Sequence, residues 1–231
     1  MKIAVLGTGM VGRAHAEKLT FLGHEVTVGT QNVGKTLTND KPDQMGNPSF
    51  VVWHRDHSGV KLATFVDSTS DAEIIFNALN GNASVEVLTS IKDNLIGKIL
   101  IDISNPLDFS KGFPPTLSVS NTDSLGEQIQ KALPDTKVIK TLNTMSAPVQ
   151  VNPKALAEGD HSIFLSGNDE NAKKKVKEIL RSYGWSDIID LGGIATARGP
   201  EMYLPLWLRA FGIVKTPMFN IKVVQNSPVA S

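Results

Sequence analysis

Ile3-Ala4-Val5-Leu6 is an unbroken apolar run stopped by Gly7, the pattern of a strand buried on both faces. Apolar residues then recur at Val11, Ala14, Leu19 and Leu22, a helical stripe that Gly23 ends. Glu25-Val26-Thr27-Val28-Gly29 follows as a second strand with β-branched residues. Strand, helix and strand within about 30 residues predict a βαβ unit, whose right-handed crossover sets both strands parallel in one sheet.

Between Thr30 and Val60 the periodicity lapses. Asn, Asp, Pro and Gly cluster there, punctuated by Pro42, Gly46 and Pro48. A long connection with short helices is predicted, one of them carrying Phe50, Val51, Val52 and Trp53. Strand patterns return at Leu62–Val66, Ile74–Leu79, Lys98–Ile103, Lys137–Asn143, Ser162–Ser166 and Trp185–Leu191. Helical patterns lie between several of them, at Ala83–Lys92, Ser124–Ala132 and Glu170–Ser182. This alternation predicts an α/β protein with a Rossmann-type, doubly wound, mainly parallel sheet. The last stretch differs: Arg198–Val214 crowds Met202, Tyr203, Leu204, Leu206, Trp207, Leu208 and Phe211, with Pro205 expected to kink a helix or set its first turn. The expected division is one α/β domain over residues 1–191 and a C-terminal helical segment over residues 192–231.

Composition then removes whole classes of function. Lys plus Arg and Asp plus Glu both number 23, so the formal net charge is zero and the basic footprint of a nucleic-acid binder is missing. The chain has no cysteine, which excludes disulfides, thiolate metal sites, iron–sulfur clusters and a cysteine nucleophile. No run approaches the roughly 20 apolar residues of a membrane span, and Met1-Lys2 lead straight into the first strand without a signal-peptide pattern. A cytoplasmic protein without membrane or nucleic-acid partner is expected. Among the five histidines no pair has a metal-ligand helix spacing; His54 and His57 read as solvated or capping, and no metal site is expected. No G-x-S-x-G elbow occurs, and Lys173-Lys174-Lys175 reads as a solvated helix face.

The candidate chemistry lies in the first turn. Gly7-Thr8-Gly9-Met10-Val11-Gly12 has the spacing G-x-G-x-x-G, follows a strand and opens a helix. Gly7 permits the tight turn, Gly9 lets the backbone approach a pyrophosphate, and Gly12 allows close helix–strand packing. Free N–H groups and the positive end of the helix would hold the phosphates. An NAD site places Asp or Glu at the end of the second strand to bind the ribose 2′-hydroxyl. This chain has Thr30-Gln31-Asn32 there, and the first acid afterwards is Asp40. No carboxylate repels a 2′-phosphate and three polar side chains can bond it, so NADP is predicted over NAD, with Lys35, Arg55 or Arg13 as the candidate cation.

The glycine motif, Val28-Gly29-Thr30, Asp102-Ile103-Ser104-Asn105-Pro106, Lys140-Thr141-Leu142-Asn143-Thr144 and Arg198-Gly199-Pro200-Glu201-Met202-Tyr203 together resemble the F420-dependent NADP oxidoreductases. The similarity runs along essentially the whole chain and points to a bacterial branch of that family. It implies a Rossmann domain, a small C-terminal part completing the acceptor pocket, and a homodimer. It also implies hydride transfer between the nicotinamide C4 of NADPH and C5 of a deazaflavin; the reductase module of membrane ferric reductases, which is similar too, passes hydride to a flavin. Carried over by position, Thr8 and Met10 would touch the pyrophosphate, and Thr30 and Gln31 the 2′-phosphate. Asn77, Ala78 and Leu79 would run along the ribose and nicotinamide, with Ser104, Asn105 and Pro106 at the same edge and Asn143, Thr144 and Met145 toward the acceptor. Gln31 stands where the family commonly has arginine, which weakens the expected preference for NADP. Two other readings stay open. One is a dehydrogenase or imine reductase on a small metabolite, which wants a proton donor near the nicotinamide, Lys140 being closest. The other is a redox sensor that binds NADP without turnover.

Overall fold

The computed structural model describes residues 1–43 and 46–226. Residues 44–45 of the predicted connection and 227–231 of the predicted C-terminal segment lie outside the described residues. The elements in chain order are β1 (Lys2–Leu6), α1 (Met10–Phe21), β2 (Glu25–Thr30), α2 (Val33–Thr38), α3 (Phe50–Asp56), β3 (Lys61–Thr64), α4 (Phe65–Ser70), β4 (Ile74–Asn77) and α5 (Gly81–Ser90). They continue as β5 (Ile99–Asp102), β6 (Leu107–Asp108), β7 (Thr116–Leu117), α6 (Leu125–Ala132), β8 (Lys137–Thr141), α7 (Ala147–Val151), β9 (Ser162–Gly167), α8 (Glu170–Tyr183), β10 (Asp187–Asp190) and α9 (Arg198–Val214).

Eight strands form one sheet in the order β10-β9-β8-β5-β4-β1-β2-β3. β3, β2, β1, β4, β5 and β8 are parallel; β9 turns antiparallel to β8, pairing Lys140 with Ser166, and β10 follows β9 in parallel. The chain winds outward from β1 in one direction to β3 and then crosses back to β4. β1 and β4 therefore flank the point where the order reverses, the place at which open α/β sheets bind ligands. The apolar run of β1 follows from this position. Ile3 and Val5 belong to one hydrophobic cluster, while Ala4 and Leu6 belong to the other, on the opposite face.

Several boundaries differ from expectation for local reasons. β3 stops at Thr64 because the Thr64 hydroxyl accepts from the Asp67 amide at 3.1 Å and caps α4, which the β-branched residues there had masked. β4 ends at Asn77, two residues early, where the side chain turns into the protein. β6 and β7 form a two-stranded antiparallel hairpin that no periodicity announced. α9 runs through Pro205 without breaking. Lys173 is not solvated: it is buried and bonded to Asp190 at 3.0 Å and Glu170 at 2.7 Å. His54 and His57 bond the carbonyls of Val60 and Trp53, at 2.7 and 2.8 Å.

The buried face of α1 also departs from the apolar stripe, since it carries Gly12, Arg13, His15, Ala16 and Leu19. The Gln150 amide group is turned to the Met145 carbonyl, leaving its oxygen to accept from His15 Nε2 at 2.9 Å. His15 Nδ1 then accepts from the Tyr183 hydroxyl at 3.1 Å. Both ring nitrogens are satisfied in the neutral form, and burial lowers the His15 pKa to about 4, against the Gln150 bond that raises it. Below the ordinary histidine value the unfolded chain takes a proton that the folded chain refuses. Stability is therefore lost as pH falls from about 6.5 toward 4, by roughly 3 kcal/mol from this group. Urea unfolding at pH 7 and pH 4.5 is expected to show the wild type losing about 2–3 kcal/mol more than His15→Gln; parallel losses in the two proteins would refute the neutral, buried imidazole.

Candidate functional site

The turn after β1 is built by contact, and each glycine has a distinct cause. Gly7 adopts φ +116°, and its N–H donates to the Gly29 carbonyl at 3.0 Å. A Cβ there would lie 2.5 Å from the Ala78 carbonyl oxygen, and one on Gly12 would lie 2.2 Å from that of Gly7. Both positions are closed to any side chain. At Gly9 the situation is reversed, because an added Cβ meets nothing within 4 Å. Gly9 is also the N-cap of α1, with no side-chain cap and no acid in the first turn. The loop thus presents uncapped helix amides beside bare backbone and open space, a cradle that fits a dinucleotide pyrophosphate.

A cavity lies on each side of this loop. The first, about 560 Å³, is bounded by Thr8 and Gly9 and by Arg13, Lys35 and Lys41. Arg13 is buried and its Nη1 donates to the carbonyls of Pro48 and Ser49 at 2.6 and 3.3 Å, so it pins the 30–60 connection against α1. Burial lowers its pKa, opposed by Asp43. Lys35 and Lys41 are exposed, and Arg55 lies outside this cavity. At the end of β2, the Thr30 and Thr36 hydroxyls bond each other at 2.8 Å, and Asn32 Oδ1 accepts from the Lys35 amide at 2.9 Å. Gln31 is exposed and has no hydrogen-bond partner among the described residues.

The second cavity, about 190 Å³, is a crevice walled by Val11, Ala78, Leu79, Ser104, Asn105 and Phe109. Beneath it lies a buried polar network. Asn77 Nδ2 lies within 2.8 Å of Asp102 Oδ1, 3.1 Å of Ser84 Oγ and 3.2 Å of Ser104 Oγ. Ser104 Oγ donates to Asp102 Oδ1 at 2.6 Å. Lys140 Nζ reaches Asp102 Oδ2 at 2.8 Å, Glu201 Oε1 at 2.9 Å and the Ser104 carbonyl at 2.6 Å. The Glu201 carboxylate also accepts from the amides of Leu125 and Gly126, at 2.8 and 2.9 Å, and so caps α6. Burial works to lower the Lys140 pKa, but Asp102 and Glu201 outweigh it and hold the ammonium above the ordinary lysine value.

The structure therefore sorts the expected site residues. Thr8, Gly9, Val11, Ala78, Leu79, Ser104 and Asn105 face the two cavities, and Met10 is exposed at the helix start. Asn77 is fully buried, and Pro106 is buried with its carbonyl accepting from Ser118 N at 2.8 Å. Asn143, Thr144 and Met145 are buried too; Asn143 Nδ2 donates to Asn105 Oδ1, and Asn105 Nδ2 to the Asn143 backbone carbonyl, both at 3.0 Å. These residues shape the edge from behind. The sequence reading missed Glu201 and the cavity-lining Phe109; an acid followed by large apolar residues was the single signal for the former. A further cavity, about 610 Å³, lies along the starts of β1 and β2 at Lys2 and Glu25, where Lys2–Asp71 and Lys61–Glu25 pair off the rim charges. It is at the wrong edge of the sheet for a dinucleotide.

Comparison with known proteins agrees with this geometry. The family described as NADP oxidoreductase coenzyme F420-dependent matches residues 2–106. A crystal structure from Arthrobacter sp. FB24, of a candidate F420-dependent NADP-reductase, is 53% identical with a TM-score of 0.93, covering 97% of this chain and 100% of that one. The chain belongs to the F420-dependent NADP oxidoreductase family. Among more distant members, the F420-dependent NADP reductase of Methanothermobacter marburgensis is 28% identical over 89% of this chain and 90% of that protein. Metalloreductase STEAP3 of Rattus norvegicus is 28% identical over 89% of this chain, which spans 38% of the rat protein's length.

The contrast between the two kinds of glycine is testable. Gly9→Val is expected to fold with an unchanged melting temperature, because its side chain enters open space, and to lose NADPH binding by at least about a hundredfold. Calorimetric titration beside thermal melting checks it. A folded Gly9→Val that binds NADPH normally would remove the pyrophosphate from this loop.

Proposed function

We propose that this protein transfers hydride between NADP(H) and a ring acceptor of the deazaflavin or flavin type. The observation that carries the reading is the open, uncapped Gly9 cradle set between a lysine-lined cavity and a narrow crevice with largely apolar walls. Gly7 to Gly12 would hold the pyrophosphate. Among the described residues lining this cavity, Lys35 and Lys41 are the cations available to the 2′-phosphate, since Arg13 is committed to two carbonyls. Val11, Ala78 and Leu79 would shield the nicotinamide from water, with Ser104 and Asn105 as polar guides. The bound dinucleotide supplies a hydride at the nicotinamide C4, and the chain's own part is to align two rings and keep water out.

The placement of Lys140 weighs against a dehydrogenase or imine reductase acting on a small metabolite. That residue, the nearest candidate proton donor, is 1% exposed and locked between two carboxylates. Ring-to-ring hydride transfer asks for no such donor at the crevice wall. Among the described residues no helix is long and apolar enough to cross a membrane, which supports action in the cytoplasm. The exposed Met202, Leu206, Ile213 and Val214 of α9 support a homodimer joined along that helix. Sedimentation at about twice the chain mass is the expected outcome; a monomer at micromolar concentration would oppose it.

Anaerobic assays with NADPH or NADH and with coenzyme F420 or FMN test the activity itself. Reduced nicotinamide is expected to disappear when a ring acceptor is present, faster with NADPH than with NADH by a modest factor. Gln31→Arg adds a charge-assisted contact worth about 1.5–3 kcal/mol and is expected to widen that preference by roughly one to two orders of magnitude. Binding of NADPH without turnover on either acceptor would favour a redox sensor, and an unmoved ratio in Gln31→Arg would place the 2′-phosphate elsewhere.

A further inference from the structure

The β6–β7 hairpin stands at the ligand edge of the sheet, next to the crevice. It rises directly from the Ser104-Asn105-Pro106 turn and is fastened at its base: Asn82 Nδ2 donates to the Leu107 carbonyl at 3.0 Å, and Ser118 N to the Pro106 carbonyl at 2.8 Å. Its first turn is closed on both sides of one residue. Asp108 accepts from the Ser110 amide at 2.8 Å and hydroxyl at 3.0 Å, and Gly112 N donates to the Phe109 carbonyl at 2.9 Å. Those bonds hold the backbone of Phe109, while the residue stays 55% exposed and lines the crevice together with Val11 and Leu79. Among the described residues the ring has no aromatic partner. Phe113, in the same hairpin, is more exposed still, at 66%, yet does not line the crevice.

A large apolar ring kept in water by a well-bonded turn, at the rim of a crevice with apolar walls, is a surface waiting for a flat partner. We infer that Phe109 is the stacking platform for the acceptor ring, positioning a planar conjugated tricycle over the crevice. This rests on the hydride-transfer reading above and deepens it by naming the residue that holds the acceptor. A flat π-face suits both deazaflavin and flavin, and stacking of a conjugated ring on an aromatic side chain is sequence-neutral chemistry that tolerates either. Phe109 does not line the first cavity, so the phosphate side of the dinucleotide is held by other residues.

The experiment compares wild type, Phe109→Ala, Phe109→Tyr and Phe113→Ala. Ring binding is read directly, by fluorescence quenching of coenzyme F420 and, separately, of FMN, without relying on turnover. NADPH affinity is measured by calorimetry on the same preparations. Phe109→Ala is expected to weaken binding of the ring acceptor, and to raise its KM, by about tenfold, with kcat at saturating acceptor and NADPH affinity within twofold of wild type. Phe109→Tyr is expected to restore acceptor binding, and Phe113→Ala to leave it unchanged. Preference for one of the two rings in wild type identifies the source of the shared chemistry. Equal acceptor affinity in wild type and Phe109→Ala overturns the inference while leaving the activity standing. A parallel loss of NADPH affinity in Phe109→Ala overturns it as well, by showing that the side chain serves the nicotinamide or the fold. Wild type that quenches neither ring overturns both, whereas ring binding lost in Phe109→Ala without any wild-type turnover overturns the hydride-transfer reading alone.

Discussion

A single buried ammonium holds the ligand edge of this protein together. Lys140 sits between Asp102 and Glu201 with almost no exposure, and it also bonds the Ser104 carbonyl. Lys140 and Asp102 lie near the ends of neighbouring parallel strands, Glu201 is in the first turn of α9, and Ser104 begins the turn that walls the crevice. One cation against two carboxylates leaves an excess negative charge, which the Leu125 and Gly126 amides at the positive end of α6 absorb through Glu201. Taking such ions out of water is costly, and removing one partner of a buried pair costs about 3–5 kcal/mol because the others stay uncompensated. The geometry of the crevice floor is therefore coupled to the seating of the last helix.

The same coupling reaches the dinucleotide side. Asn77, at the end of β4, is fixed by Asp102 and Ser104, and the next residue, Ala78, supplies the carbonyl that excludes a side chain at Gly7. Backbone contact then passes from Gly7 to Gly12, so α1 approaches the sheet as closely as its backbone allows. Arg13, one residue further on, ties the 30–60 connection to α1 through the Pro48 and Ser49 carbonyls. Both cavities are thus hung from one set of contacts at the reversal point of the sheet. Their lining residues differ in kind: lysines at the first, largely apolar and small residues at the second.

Much of this frame was legible in the chain itself. The apolar run at Ile3–Leu6 and the glycine spacing after it are local patterns, and local patterns survive in one dimension. The strands Lys137–Thr141 and Ser162–Gly167 and the helix Arg198–Val214 were equally legible, because burial on one or two faces writes itself into the order of apolar residues. Direction was less legible. β9 runs antiparallel to β8, and nothing in Ser162–Gly167 distinguishes that pairing from a parallel one. The Phe65–Ser70 helix was hidden for another reason: β-branched and polar residues favoured extension, and a hydroxyl cap at Thr64 overrode them.

The residues of the site divide along the same line. Gly7, Gly9 and Gly12 could be named from spacing because each answers a constraint within a few residues of itself or at the next strand end. Asn77, Pro106 and Asn143 stand at the carboxyl edge where the sequence puts them, and the structure buries their side chains, since whether a side chain points to solvent or to a neighbour depends on residues far away in the chain. Glu201 lies 61 residues from Lys140 in number, and His15 lies 135 residues from Gln150 and 168 from Tyr183. Sequence by itself determined the layers, the glycine turn after β1 and the absence of a carboxylate after β2. Tertiary structure alone decided which polar side chains are spent inside and which remain for a ligand, because hydrogen bonds and charges are satisfied by proximity in space, and the order of residues does not record it.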